Sequence, residues 1–167
     1  TSSPVITSTS FANNEAPSGG AIENEADGEN ALSTIELTNV TFYGNSAETG
    51  GALRNATTFG GQMGVRLTNT AFVARRGESI IENTSSLTGS TLRLRITNAT
   101  FRGDHSEGII HNVGRDGGTS QVEIINSILW SVSEPAPPEI VNSGSGGGAV
   151  LSHTIVENGP EGVSTSN

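Results

Sequence analysis

The chain has 167 residues and a mass of 17.1 kDa, enough for one hydrophobic core and too little for two. Its formal charge of -9 sets 17 acidic residues against 8 basic ones, every one of them Arg, which argues against phosphate-backbone binding through a basic stripe. Cysteine is absent, so disulfides, thiolate metal sites and a cysteine nucleophile are excluded. No apolar run approaches the roughly 18 residues of a membrane-spanning helix. The sequence opens on Thr1 with no signal-type segment and reads as a mature chain or a fragment of a larger exported protein, one domain over 1–167.

In chain order, residues 4–11 give a loose first copy of a unit that returns at 35–42, 65–72, 94–101 and 122–129, and again loosely at 149–156. The unit reads apolar, polar, apolar, Thr, Asn, two variable residues, apolar. Its marker positions Ser8, Asn39, Asn69, Asn98, Asn126 and His153 lie 31, 30, 29, 28 and 27 residues apart, a solenoid-like period. Between these copies runs a second motif: Gly19-Gly20-Ala21-Ile22-Glu23-Asn24, Gly50-Gly51-Ala52-Leu53-Arg54-Asn55, then Ser79 to Asn83, Gly108 to Asn112 and Glu139 to Asn142. Glu161-Gly162-Val163 is a candidate sixth start. Alternation of period two with β-branched residues predicts short strands, and no helical spacing persists.

Like strands recurring with one face pattern predict parallel stacking instead of the hairpins of a sandwich. The expected fold is all-β, a right-handed single-stranded parallel β-helix of about five to six rungs, each 27–31 residues. Three apolar ladders fill it: Leu37, Leu67, Ile96, Ile124 and Leu151; Phe11, Phe42, Phe72, Phe101 and Leu129; and Ile22, Leu53, Ile81, Ile110 and Val141. Two asparagine ladders, Asn39/Asn69/Asn98/Asn126 and Asn24/Asn55/Asn83/Asn112/Asn142, are placed at corners, since Asn tolerates the left-handed region and its amide both donates and accepts. The stretch from Pro135 to Pro138 and Gly144 to Gly148 is expected to form one lateral loop. The tails 1–10 and 157–167 read as strand-donating segments or linkers.

Phe11-Ala12-Asn13-Asn14 and Phe42-Tyr43-Gly44-Asn45, each followed by Gly-Gly-Ala-Ile/Leu, resemble the FxxN and GGA[ILV] repeat of the polymorphic outer-membrane proteins and related bacterial adhesins. The stretch from Asn126 to Ser143 is similar to the closing rungs of the choice-of-anchor Q surface proteins. The resemblance implies an exported β-helix at or beyond the cell surface. Arg75 and Asp104 stand where the repeat would have Asn, and the Gly-Gly pair decays to Glu78-Ser79 and Glu107-Gly108.

Asn55-Ala56-Thr57 and Asn83-Thr84-Ser85 match the glycan acceptor tripeptide, as do sites at Asn39 and Asn98; Asn55 and Asn83 are the glycosylation candidates. The one dense titratable cluster, Arg102, Asp104, His105, Glu107, His111, Arg115 and Asp116, is the candidate binding surface. Arg102-Gly103-Asp104 also spells a tripeptide read by some cell receptors. Glu36 and Glu123, with Arg66 and Arg93 as intervening copies, are expected to form an alternating-charge column that fixes register. Thr7, Thr38, Thr68 and Thr97, beside Thr9 and Thr70, form an outward threonine array on paper, broken at Val40, Ala99 and Ile125.

With Asp only at 27, 104 and 116, neither paired carboxylates nor a Ca²⁺ cluster is evident. The expectation is a non-enzymatic extracellular or cell-surface structural module without cofactor or metal, adhesin-like or stacking end to end into filaments. The alternative is a carbohydrate-active lyase or hydrolase. Expected partners are a second copy stacked head to tail, flanking surface-protein domains, a glycan or a cell-surface receptor; no nucleic acid and no membrane span are expected.

Overall fold

The computed structural model describes residues 1–74, 79–132 and 137–157, with the backbone of 163–166. Among them there is no helix; the chain coils as a parallel β-solenoid of about five turns, whose strands stack into three sheets. The seven-stranded sheet holds β1 (Val5–Thr7), β4 (Leu32–Thr38), β7 (Gln62–Thr68), β10 (Thr91–Thr97), β13 (Thr119–Ile125), β16 (Gly147–Ser152) and β18 (Val163–Ser166). The six-stranded sheet holds β2 (Ser10–Ala12), β5 (Thr41–Tyr43), β8 (Ala71–Val73), β11 (Thr100–Gly103), β14 (Ile128–Ser131) and β17 (Ile155–Val156). The third, five-stranded, holds β3 (Ile22–Asp27), β6 (Leu53–Thr58), β9 (Ile81–Ser86), β12 (Ile110–Arg115) and β15 (Ile140–Ser143).

Every pairing between named strands is parallel, joining each strand to its copy one repeat away. Stacked ladders follow from that register. Leu37, Leu67, Ile96, Ile124 and Leu151 are neighbours in one inward column, with Ile6 ahead of them. Phe11, Phe42, Phe72 and Phe101 stack face to face with centroids 5.2, 4.6 and 4.6 Å apart. Such offset pairs add about 0.5–1.5 kcal/mol each beyond burial.

The third ladder is one residue off the expected register at its C-terminal end. Ile140, fully buried, pairs with Ile110, while Val141 pairs with His111 and faces outward. The parity of the pleat decides this: Asn142 pairs with Asn112, so the inward residue two before it is Ile140.

The two asparagine ladders do different work. Asn39, Asn69, Asn98 and Asn126 sit at the corner after the long strand with φ of 56, 51, 56 and 49°. Their amides link upward in a chain: Asn69 Nδ2 donates to Asn39 Oδ1 at 3.2 Å, Asn98 to Asn69 at 3.1 Å and Asn126 to Asn98 at 2.7 Å. Ser8 and His153 hold the same left-handed corner at either end of the column.

Asn24, Asn55, Asn83, Asn112 and Asn142 are not corner residues. They lie within β3, β6, β9, β12 and β15, on the same pleat as the apolar ladder, and Asn55, Asn83 and Asn112 are fully buried. Buried amides are mostly bonded, though here Asn55 Oδ1 and Asn83 Nδ2 meet no hydrogen-bond partner among the described residues. Asn55 Nδ2 donates to Asn83 Oδ1 and Asn112 Nδ2 to Asn142 Oδ1, both at 2.9 Å, and Ser33 Oγ donates to Asn24 Oδ1 at 2.7 Å.

Other expectations fail for equally local reasons. The glycine-rich stretch 144–148 forms a tight turn and the start of β16 instead of a loose loop, with the Gly146 amide bonded to the Gly114 carbonyl. A Cβ at Gly146 would run into the Gly118 carbonyl oxygen, so glycine is what lets these rungs close up. Residues 133–136 of the expected loop lie outside the described residues. Val163 continues the seven-stranded sheet beside Ala149, so it opens no sixth copy of the second motif; 161–162 lie outside the described residues. The first tail is no linker, since β1 and β2 pair with β4 and β5.

Candidate functional site

The repeat motifs are structural clasps. Asn45, last residue of Phe42-Tyr43-Gly44-Asn45, is buried; its Nδ2 donates to the Phe11 carbonyl at 2.9 Å. Its Oδ1 accepts from the Asn14 backbone amide at 3.0 Å and from Asn14 Nδ2 at 2.8 Å. One amide thus sews two rungs at the corner beside the Phe ladder. Gly50 turns the chain with φ of 61°, and a Cβ there would lie 2.6 Å from the Leu53 carbonyl oxygen, which explains the glycine pair before the Ala-Leu strand. Arg75, in the equivalent position one rung on, lies outside the described residues.

With interior columns closed, functional groups have to sit on outward ones. The cluster around residues 102–116 does not converge. Arg102 is exposed on β11, and Gly103 is buried against Ala74 and Ile80, so Arg102-Gly103-Asp104 ends a strand instead of tipping a loop. His105 is buried, which removes it from any binding surface; burial lowers its pKa to about 4, with Asp104 opposing. Arg115 and Asp116 are exposed at the far end of β12, about 16 Å along the strand from Ile110.

His111 gathers the remaining groups. Its Nδ1 lies 3.4 Å from Glu107 Oε2 and 3.8 Å from Glu82 Oε2, and its Nε2 lies 3.2 Å from Ser143 Oγ. Thr84 Oγ1 donates to the other Glu82 oxygen at 3.2 Å. The facing His111 imidazole holds the Glu82 carboxyl below its usual range, against burial, which raises it. Hydroxyl, imidazole and carboxylate stand in the order of an acyl-transfer relay. The 3.8 Å approach to Glu82 is longer than a hydrogen bond, and the group faces outward on the sheet, so it acts as a clasp between rungs.

Alternating charge does occur, on a different column from the expected one. Glu23, Arg54, Glu82 and His111 are register neighbours, with Arg54 Nη1 2.6 Å from Glu23 and 3.0 Å from Glu25. On the seven-stranded sheet the order is Glu36, Arg66, Arg95, Glu123. Arg95, not Arg93, holds the intervening position, and two like charges meet in the middle. The threonine array also fails: Thr70 is buried and turned inward, so only the Thr7/Thr38/Thr68/Thr97 column remains.

Asn55 and Asn83 are fully buried, so neither amide is open to a glycan in the folded chain. Among the described residues no group of three or more His, Asp or Glu side chains could hold a metal ion.

The six-stranded sheet carries an outward column that the sequence reading passed over. Tyr43, Val73, Arg102 and Trp130 are register neighbours, each immediately after its Phe or Leu ladder residue. Tyr43 is 50% exposed and Trp130 46%, and Ile128, Val132 and Ile155 flank them in the open. The signal was available: the residue after each ladder position faces out by pleat parity, and three of those four are large and apolar or aromatic.

Architecture and clasps together define a parallel β-solenoid whose rungs are sewn at asparagine corners. Residues 39–56, which span the Phe42-Tyr43-Gly44-Asn45 clasp and the Gly50-Gly51-Ala52 turn, match the family model of the Chlamydia polymorphic membrane protein repeat. Match and fold together fit a β-helix repeat of bacterial surface proteins, and point to a bacterial surface or outer-membrane protein. No curated protein and no solved structure matches the chain.

Proposed function

We propose that this chain is a non-enzymatic, adhesin-like module of a bacterial surface protein, a stiff stack of rungs that holds a binding face in fixed register. The observation that carries the reading is the Tyr43, Val73, Arg102, Trp130 column on the six-stranded sheet. Tyr, Trp and Arg are the residue types enriched at the energetic centres of protein interfaces, and contiguous exposed apolar surface marks an interaction site. Behind the column the stacked Phe rings fix the backbone, so the face is presented with little ordering cost on binding.

Beads coated with the purified chain and presented to host-type epithelial cells and to bacterial cells test this. Saturable attachment competed by soluble chain is expected. Attachment no greater than for beads coated with serum albumin would remove the adhesive reading.

Self-assembly is the second reading, favoured by one observation: among the described residues β1, β2 and β3 each pair on one side only, and open parallel edges recruit further strands. Light-scattering mass across a concentration series separates it from the first: a mass that climbs with concentration supports stacking, and a constant monomer mass rejects it.

A further inference from the structure

On the seven-stranded sheet, away from the Tyr43 to Trp130 face, lies a shallow groove of about 480 Å³. Its outward lining includes Gly64, Arg66, Arg93, Arg95, Gln121 and Glu123. Arg66 stands directly across from Arg95 on one side and Glu36 on the other, and Arg93 directly across from Gly64 on one side and Gln121 on the other. Neighbouring strands are about 4.8 Å apart, so three guanidinium groups share one small area. Gly64 contributes no side chain and leaves the floor low between them.

This arrangement is costly in a chain of net charge -9. Like charges directly opposite on a sheet destabilise it, and 17 acidic residues offer ample means of neutralising them. Only Arg95 has a carboxylate within ion-pair distance, Glu123 Oε2 at 3.3 Å, and that pair is half exposed. Arg66 and Arg93 form no ion pair with the described residues. Two guanidinium forks are left with their donors turned to solvent, the geometry that takes a carboxylate or sulfate through paired hydrogen bonds.

We infer that this groove binds a linear anionic polysaccharide, its carboxylate or sulfate groups received by Arg66, Arg93 and Arg95 and its hydroxyls by the Gln121 amide. A peptide fits worse. The groove lies on a sheet face, so it offers no free strand edge for backbone pairing, and it has no deep apolar pocket to anchor a side chain. A polymer with an anion on successive sugars meets the guanidinium groups without needing either. The site is on a different sheet from the adhesive column and stands or falls apart from it.

The test uses the whole chain over biosensor surfaces bearing heparin, polygalacturonate, neutral dextran and duplex DNA. Binding to heparin or polygalacturonate but not dextran is expected, weaker at higher salt; which of the two binds tells sulfate from carboxylate. The double variant Arg66→Gln/Arg93→Gln should weaken binding by about tenfold or more with unchanged far-ultraviolet circular dichroism. The variant Arg115→Gln, on the five-stranded sheet and outside the groove lining, should bind as the parent does. Absence of binding to both acidic glycans, equal binding by the double variant, or equal retention on duplex DNA would overturn the assignment. Bead attachment to cells, read separately, reports on the Tyr43 to Trp130 face and not on this groove.

Discussion

The Ser120 hydroxyl donates to Asn112 Oδ1 at 2.6 Å, and Asn112 Nδ2 returns a bond to the Ser120 carbonyl oxygen at 3.0 Å, with both residues fully closed to solvent. The same amide nitrogen reaches Asn142 Oδ1 at 2.9 Å and the Gly148 carbonyl at 3.1 Å. One side chain therefore ties β12 to β13, β15 and β16 across the interior.

Asn112→Ala takes the acceptor from the buried Ser120 hydroxyl and removes the side-chain bonds to the Ser120 and Gly148 carbonyls and to Asn142 at once. With about 1–3 kcal/mol for each unsatisfied group, a loss of about 3 kcal/mol or more is expected in urea denaturation. Asn69→Ala should cost less, about 1–2 kcal/mol, because Asn69 is exposed and the penalty is that of a left-handed corner. Asn69→Gly should recover most of it. Equal losses at Asn112 and Asn69 would contradict the inside and outside placement of the two ladders.

The Phe ladder predicts a gradient along the stack. Phe72 is buried between two stacked rings, while Phe11 has one ring neighbour and is partly exposed. Phe72→Ala should cost about 3–5 kcal/mol, and Phe11→Ala clearly less. Leu67→Asp, which places an unpaired charge in the adjacent ladder, should abolish the folded signal in circular dichroism. A cooperative melt retained by Leu67→Asp would place that side chain outside the core.

Acid should weaken the fold in two overlapping steps. His105 has a folded pKa lowered by burial to about 4, from an ordinary value near 6.5. As pH falls below about 6.5 the unfolded chain takes up a proton that the folded chain refuses, so stability declines until about pH 4 and then levels for this group. Glu82, lowered chiefly by the facing His111 imidazole, contributes stability above its ordinary value of 4.5 that is lost as pH falls through its folded value. Melting temperature followed from pH 7 to pH 4 should therefore fall, and His105→Leu should flatten the upper part of that decline. A melting temperature independent of pH in that interval would contradict the buried neutral imidazole.

Much of the fold was legible because a solenoid repeats its own evidence. The column Leu37, Leu67, Ile96, Ile124, Leu151 and the Phe stack follow from aligning like strings, and the register of the strands confirms them. What went astray was parity. Asn55 stands two residues after Leu53 and so shares its inward face, but asparagine's affinity for corners suggested otherwise. Counting back three residues from Asn98 gives Arg95 as the partner of Glu123, and counting back two from Asn142 gives Ile140. Those were errors of arithmetic along a pleat of period two. The proposed binding faces were harder to see, since Tyr43, Val73, Arg102 and Trp130 line up, and Arg66 meets Arg95, only when rungs are stacked in register.

In the proposed function, inward columns hold the fold and the Tyr43 to Trp130 column binds. The direct measurement is the variant Tyr43→Ser/Trp130→Ser, read for melting temperature and for bead attachment to cells on the same preparation. A melting temperature within a few degrees of the parent is expected, because both side chains are about half exposed, together with loss of attachment. Attachment at the parental level by a folded variant would contradict it.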